Sequence, residues 1–106
     1  MSQDRRIHAR LAVKLAARLV RDGVSIDGVV ENVGQGGVFF STETLETAVE
    51  DGARVRVEFD AVRDGAPVRI CEDGTVLRAE RYFDGQSVVR SFAIRFDREI
   101  ALAGLS

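Results

Sequence analysis

The chain has 106 residues, 45% of them hydrophobic, which is enough for one domain with its own core and leaves no room for a second. No apolar run nears the roughly 20 residues that span a bilayer, and no apolar signal core follows Met-Ser-Gln-Asp-Arg-Arg, so the expectation is a cytoplasmic chain without membrane insertion. The net charge of −2 excludes binding of a polyanion by the surface as a whole.

The charge is unevenly spread. In residues 1–21, Arg5, Arg6, Arg10, Lys14, Arg18 and Arg21 stand against Asp4 alone, a local +5, and the other 85 residues carry −7. That split suggests a small anion held at one place and no long DNA or RNA track. Residues 5–10 (Arg-Arg-Ile-His-Ala-Arg) form an arm ahead of the first periodic segment. Read without other information, they are a solvated basic tail. Residues 11–21 are ambiguous. Leu11, Leu15 and Leu19 keep helical spacing and the composition favours helix. Val13, Leu15, Ala17 and Leu19 also alternate, and the Asp22-Gly23 turn that follows favours the first arm of a hairpin.

Residues 24–33 are β-branched and read as a strand interrupted at Gly28. Asn32-Val33-Gly34-Gln35-Gly36-Gly37 is a glycine-rich loop between β runs, and residues 38–42 are a short strand. The loop has neither the strand-to-helix context of a Rossmann fingerprint nor the Lys-Ser/Thr of a P-loop. Taken alone it is a bulged hairpin turn, though its backbone N–H groups are open to an anion. Residues 44–50 read as a connection or one helical turn. Ala53, Val55, Val57 and Phe59 alternate with charged residues as a half-buried strand. Residues 68–71 and 75–82 flank Asp73-Gly74 as an expected hairpin, with Pro67 at its start. Phe92, Ile94 and Phe96 alternate in the same way. Residues 98–105 read as a C-terminal tail or short helix. Six of the ten glycines follow aspartate, and the pairs between 51 and 84 recur every 9–13 residues, which predicts an antiparallel all-β sandwich or barrel.

Cys71 is the only cysteine, so no internal disulfide is expected and a half-buried strand thiol is. His8 is the only histidine, which leaves no zinc spacing and little acid–base machinery. No nucleophile–base pair or carboxylate dyad is evident, so neither catalytic residues nor a cofactor are expected.

Taken together, Arg6-x-x-x-Arg10 preceded by Arg5, then Asn32-x-Gly34-x-x-Gly37, Gly74-x-Val76-x-Arg78 and Arg95-Phe96 resemble the PilZ domain family, whose motifs are R-x-x-x-R and [D/N]-x-S-x-x-G. The resemblance covers nearly the whole chain. It implies a single domain, 1–106, with a flexible arginine arm (1–10), a six-stranded antiparallel β-barrel (11–97) and the C-terminal tail or short helix (98–106). It also implies that residues 11–21 are the first strand. The family implication for function is a receptor for cyclic di-GMP that acts on an effector protein in trans. On that pattern Arg5, Arg6 and Arg10 grip phosphate and guanine edges, Asn32 meets a guanine edge, and Gly37 permits the turn. Gly34 stands where the family has serine, so a hydroxyl contact is missing. The alternative is a degenerate domain that binds protein and no nucleotide. Ala93, where the family more often has glycine, is expected to affect only packing.

Overall fold

The computed structural model describes residues 10–43 and 49–106. Six antiparallel strands run in chain order: β1 (Arg10–Arg21), β2 (Val24–Gly34), β3 (Gly37–Thr42), β4 (Arg54–Arg63), β5 (Ala66–Phe83) and β6 (Val88–Phe96). They close into a barrel in the order β1-β2-β3-β6-β5-β4. Two three-stranded meanders, β1-β2-β3 and β4-β5-β6, are therefore joined along β3–β6 and along β1–β4.

Local chemistry accounts for the two tightest turns. Asp22-Gly23 and Asp64-Gly65 have φ of 51° and 78°, and of 51° and 82°, so each pair supplies the two positive-φ positions of a two-residue type I′ hairpin. The β5–β6 loop is tied by Asp84, whose carboxylate accepts the N–H groups of Gln86 and Ser87 at 2.9 and 3.0 Å. Those bonds hold its carboxyl below the usual carboxylate range.

Alternation builds the core. Val55, Val57 and Phe59 of β4 point inward with Phe92, Ile94 and Phe96 of β6, all buried. The Phe40 and Phe92 rings meet at a centroid distance of 6.2 Å. Each fully buried phenylalanine of this kind contributes about 1.5–3 kcal/mol from apolar burial. In β1 Leu19 is fully buried, while Leu11, Val13, Leu15 and Ala17 pack against the core only partly. The segment that was ambiguous is a strand: its alternation faces a sheet, and pairing on two edges outweighs intrinsic helix preference. A bulge in β2 between Val30 and Asn32 lets both Val30 and Val33 reach the core.

Several expectations are corrected. Asp27-Gly28 and Asp73-Gly74 lie inside strands, so the hairpin expected at Asp73-Gly74 does not exist. β5 is one 18-residue strand that pairs with β4 up to Thr75 and with β6 from Gly74 onward. Gly74 is the corner: a Cβ there would run into the carbonyl oxygen of Arg95. Gly28 does not interrupt β2, and a Cβ on it would meet Ser41 O and the Phe40 ring. Cys71 is exposed, because Ile70 beside it takes the inward position of the pleat.

Residues 98–105 are not helical. The Arg63 guanidinium donates to the carbonyls of Ala101 and Ala103 at 3.0 and 2.9 Å, and Asp64 N–H donates to Gly104 O at 2.8 Å. Carbonyls that a helix would need are thus spent on the β4–β5 hairpin. Val62 and Ser106 exchange backbone bonds of 2.9 and 2.8 Å, and Leu105 is buried against the core.

Candidate ligand-binding site

The glycine-rich segment is the β2–β3 hairpin, and its connection is Gln35-Gly36. Its carbonyls are pinned from the C-terminal side: Phe96 N–H donates to Gly36 O at 2.8 Å and Ile100 N–H to Gln35 O at 2.9 Å. Neither Gly36 nor Gly37 has positive φ. Contrary to the expectation from sequence, Gly37 does not serve the turn: it is the first residue of β3. It permits close strand approach, since a Cβ there would overlap the carbonyl oxygen of Ile94. At Gly36 an added Cβ would meet nothing within 4 Å.

Beside the hairpin is a groove of about 300 Å³. It is lined by Gly34 to Val38 of the hairpin, by Ala93 to Arg95 of β6 and by Leu77 of β5. Leu77 is 51% exposed because β5 bulges between Val76 and Arg78. Ala93 therefore belongs to the groove lining as well as to the packing of β6.

Register orders the surrounding residues. Arg10 stands opposite Gly34 across β1–β2, and Gly37 stands opposite Arg95 across β3–β6. Thr75 lies beyond Arg95, and Arg54 beyond Thr75. Arg54 donates to both oxygens of Asp97 at 2.7 and 2.6 Å and to Thr75 Oγ1 at 2.8 Å. These bonds, opposed by partial desolvation, set the Asp97 carboxyl below the usual carboxylate range, with the charge of Arg95 adding a smaller push. Asp97 is thereby committed to Arg54, and the Arg95 guanidinium keeps no ion-pair or hydrogen-bond partner among the described residues.

Of the residues expected from sequence, Gly34 and Gly37 share the groove and Arg10 sits in register with it. Asn32 does not line the groove. It is half-buried on β2, and its Oδ1 is enclosed with no hydrogen-bond partner among the described residues. Arg5, Arg6 and His8 lie outside the described residues, as do residues 44–48 of the expected connection. Leu77 and Arg95 were missed as site residues. The signal for Arg95 was its outward position in the alternation of residues 92–96, next to the glycine loop only once the strand order is known.

Two other concavities suit an anion less well. One beside Ala16 and Gly28 has walls already neutralised, by Arg18 with Asp27 at 3.4 Å and Arg69 with Asp60 at 2.7 Å. Another, near Tyr82, sets Glu31, Glu43 and Asp84 against Lys14 alone. Among the described residues no group of three or more His, Cys, Asp or Glu side chains could hold a metal ion, and no helix is long and apolar enough to cross a membrane.

Comparison with known proteins agrees with the geometry. The family model of the PilZ domain matches residues 4–103. The inhibitor of motility MotI/DgrA of Bacillus subtilis superposes with a TM-score of 0.72 at 17% identity, over 93% of this chain and 45% of that one. The chain therefore spans under half the length of that protein. The PilZ domain of Escherichia coli YcgR, solved with cyclic di-GMP, superposes with a TM-score of 0.66 at 17% identity, over 89% of this chain and 79% of that one. No curated protein sequence matches the chain.

Proposed function

Because the chain belongs to the PilZ domain family, we propose that it is a non-enzymatic, cytosolic receptor for cyclic di-GMP. It passes the signal to a partner protein in trans that controls motility, exopolysaccharide or biofilm formation. The observation that carries this reading is the register that sets Arg10 against Gly34, beside a groove walled by the glycine hairpin.

In this reading Arg6 and Arg10, assisted by Arg5, take the phosphates and guanine Hoogsteen edges. A guanidinium suits both, because its planar fork matches two acceptors at once. Asn32 takes a guanine edge, which requires its amide to leave its enclosed position. Gly34 contributes backbone only. The hydroxyl it lacks is worth roughly 0.5–1.5 kcal/mol, or 1.5–3 against a charged partner. At about 1.4 kcal/mol per decade, affinity falls by about 2- to 100-fold and the arginines supply the remainder. The arm orders on binding, and that change is what the partner reads.

Isothermal titration with cyclic di-GMP tests the proposal. Binding is expected at ligand concentrations near 100 µM, on the order of −5.5 kcal/mol. Arg6→Ala or Arg10→Ala abolishes it, and Gly34→Ser strengthens it. Absence of heat at that concentration sinks the receptor reading. A second reading, a protein-binding domain without nucleotide, is favoured by the same Gly34 together with the enclosed Asn32 oxygen. It predicts a stable protein complex indifferent to cyclic di-GMP.

A further inference from the structure

We infer that Arg95 is an additional phosphate-gripping residue of the groove, at a position outside both family motifs. This inference rests on the receptor reading and deepens it. Arg95 sits on β6 directly opposite Gly37, where the two backbones approach too closely for a Cβ. Of its neighbours across β5 and β4, Arg54 is tied to Asp97 through both carboxylate oxygens and to Thr75 through its hydroxyl. Asp97, the carboxylate that feels the charge of Arg95, is thus bonded to Arg54, and the exposed Arg95 guanidinium has no hydrogen-bond partner among the described residues. Arg18, Arg54, Arg56, Arg69 and Arg78 of the barrel wall are each paired with an acid.

Arg10 and Arg95 stand on opposite sides of the glycine hairpin in the register, one on β1 and one on β6. A phosphodiester lying over Gly34 to Gly37 meets the Arg95 cation on the β6 side, with unobstructed backbone beneath it at Gly36. The Arg95 fork supplies a charge-assisted contact where the loop lacks a hydroxyl.

Arg81 is the control. It too has no ion pair among the described residues, but it stands opposite Arg90 near the far end of the β5–β6 hairpin. It also shares a face with Ala79, which packs against the core, so it projects from the opposite side of the sheet to Arg95. Titration of the wild type, Arg95→Ala, Arg95→Lys and Arg81→Ala with cyclic di-GMP tests the inference. Arg95→Ala is expected to raise Kd roughly 10- to 100-fold, the range for one charge-assisted contact. Arg95→Lys falls between, as a point charge without the fork, and Arg81→Ala matches the wild type. Thermal melts that coincide with the wild type exclude a folding defect, and Arg95→Lys preserves the test if the alanine variant melts early. Wild-type affinity in both Arg95 variants overturns the inference while leaving the receptor reading intact. An equal loss in Arg81→Ala overturns it by reducing the effect to net charge. Absence of wild-type binding overturns both readings together.

Discussion

Gly36 and Gly37 are adjacent, chemically identical and both at negative φ, so replacing each by alanine isolates what lies across the sheet. At 37 the new Cβ overlaps Ile94 O and lies 3.1 Å from the carbonyl carbon and 3.3 Å from the Arg95 Cα. All three are backbone atoms of β6, so no side chain can turn aside and the β3–β6 pairing must open. Overpacking of this kind costs about 1–3 kcal/mol, and a weakened ladder bond adds about 0.5–1.5. We expect a loss of about 2–3 kcal/mol. At 36 the Cβ meets nothing within 4 Å, and alanine restricts the unfolded chain, so stability is unchanged or rises by about 0.4–1 kcal/mol. Urea unfolding followed by circular dichroism reads both. With a slope of about 1.5 kcal/mol per M, Gly37→Ala lowers the midpoint by roughly 1.3–2 M and Gly36→Ala leaves it in place or raises it. Equal midpoints for the two variants would refute the close-approach account and return Gly37 to a turn role.

Three further outcomes are expected. Arg63→Ala removes both side-chain bonds to Ala101 and Ala103, so residues 98–106 should become the first site of limited proteolysis, with a global loss of about 1–3 kcal/mol. Intact protection of that segment would contradict its dependence on Arg63. The Asp97 carboxyl, held down by Arg54, should titrate by NMR below the usual carboxylate range and move up toward it in Arg54→Ala. The sign follows from the depressed value: the pair stabilises above the unfolded pKa, about 3.9, and the contribution disappears as pH falls through the folded one, so Arg54→Ala flattens the acid limb of the stability curve. Phe40→Ala, at a fully buried position, should cost about 3–5 kcal/mol in the same urea assay.

What the sequence made legible was the chemistry of single strands. The alternation of residues 53–59 and 92–96 depends only on each strand having one wet and one dry face. Asp22-Gly23 and Asp64-Gly65 are turns because the strands beside them pair locally. Asp27-Gly28 and Asp73-Gly74 carry the same dipeptide, yet their glycines answer to Ser41 and Arg95, atoms remote in sequence. The C-terminal segment is decided the same way, by Arg63 at 38 residues' separation from Ala101. In the site, Gly34 and Gly37 were legible as a loop, while Arg95 became visible only when β6 proved to be the neighbour of β3. Residues 11–21 stayed ambiguous on periodicity, and the family resemblance selected the strand.

The pairing of β3 with β6 has a consequence for how the groove comes into being. Each meander can form from contacts close in sequence, but Gly37 and Arg95 face each other only after the two meanders have docked. The groove is therefore a property of the assembled barrel and belongs to neither half. A ligand held there binds the native state and neither separated half, so it acts as a clasp across the seam. At a hundred times its Kd it would add about 2.7 kcal/mol to the closed barrel, so that signal and fold share one equilibrium.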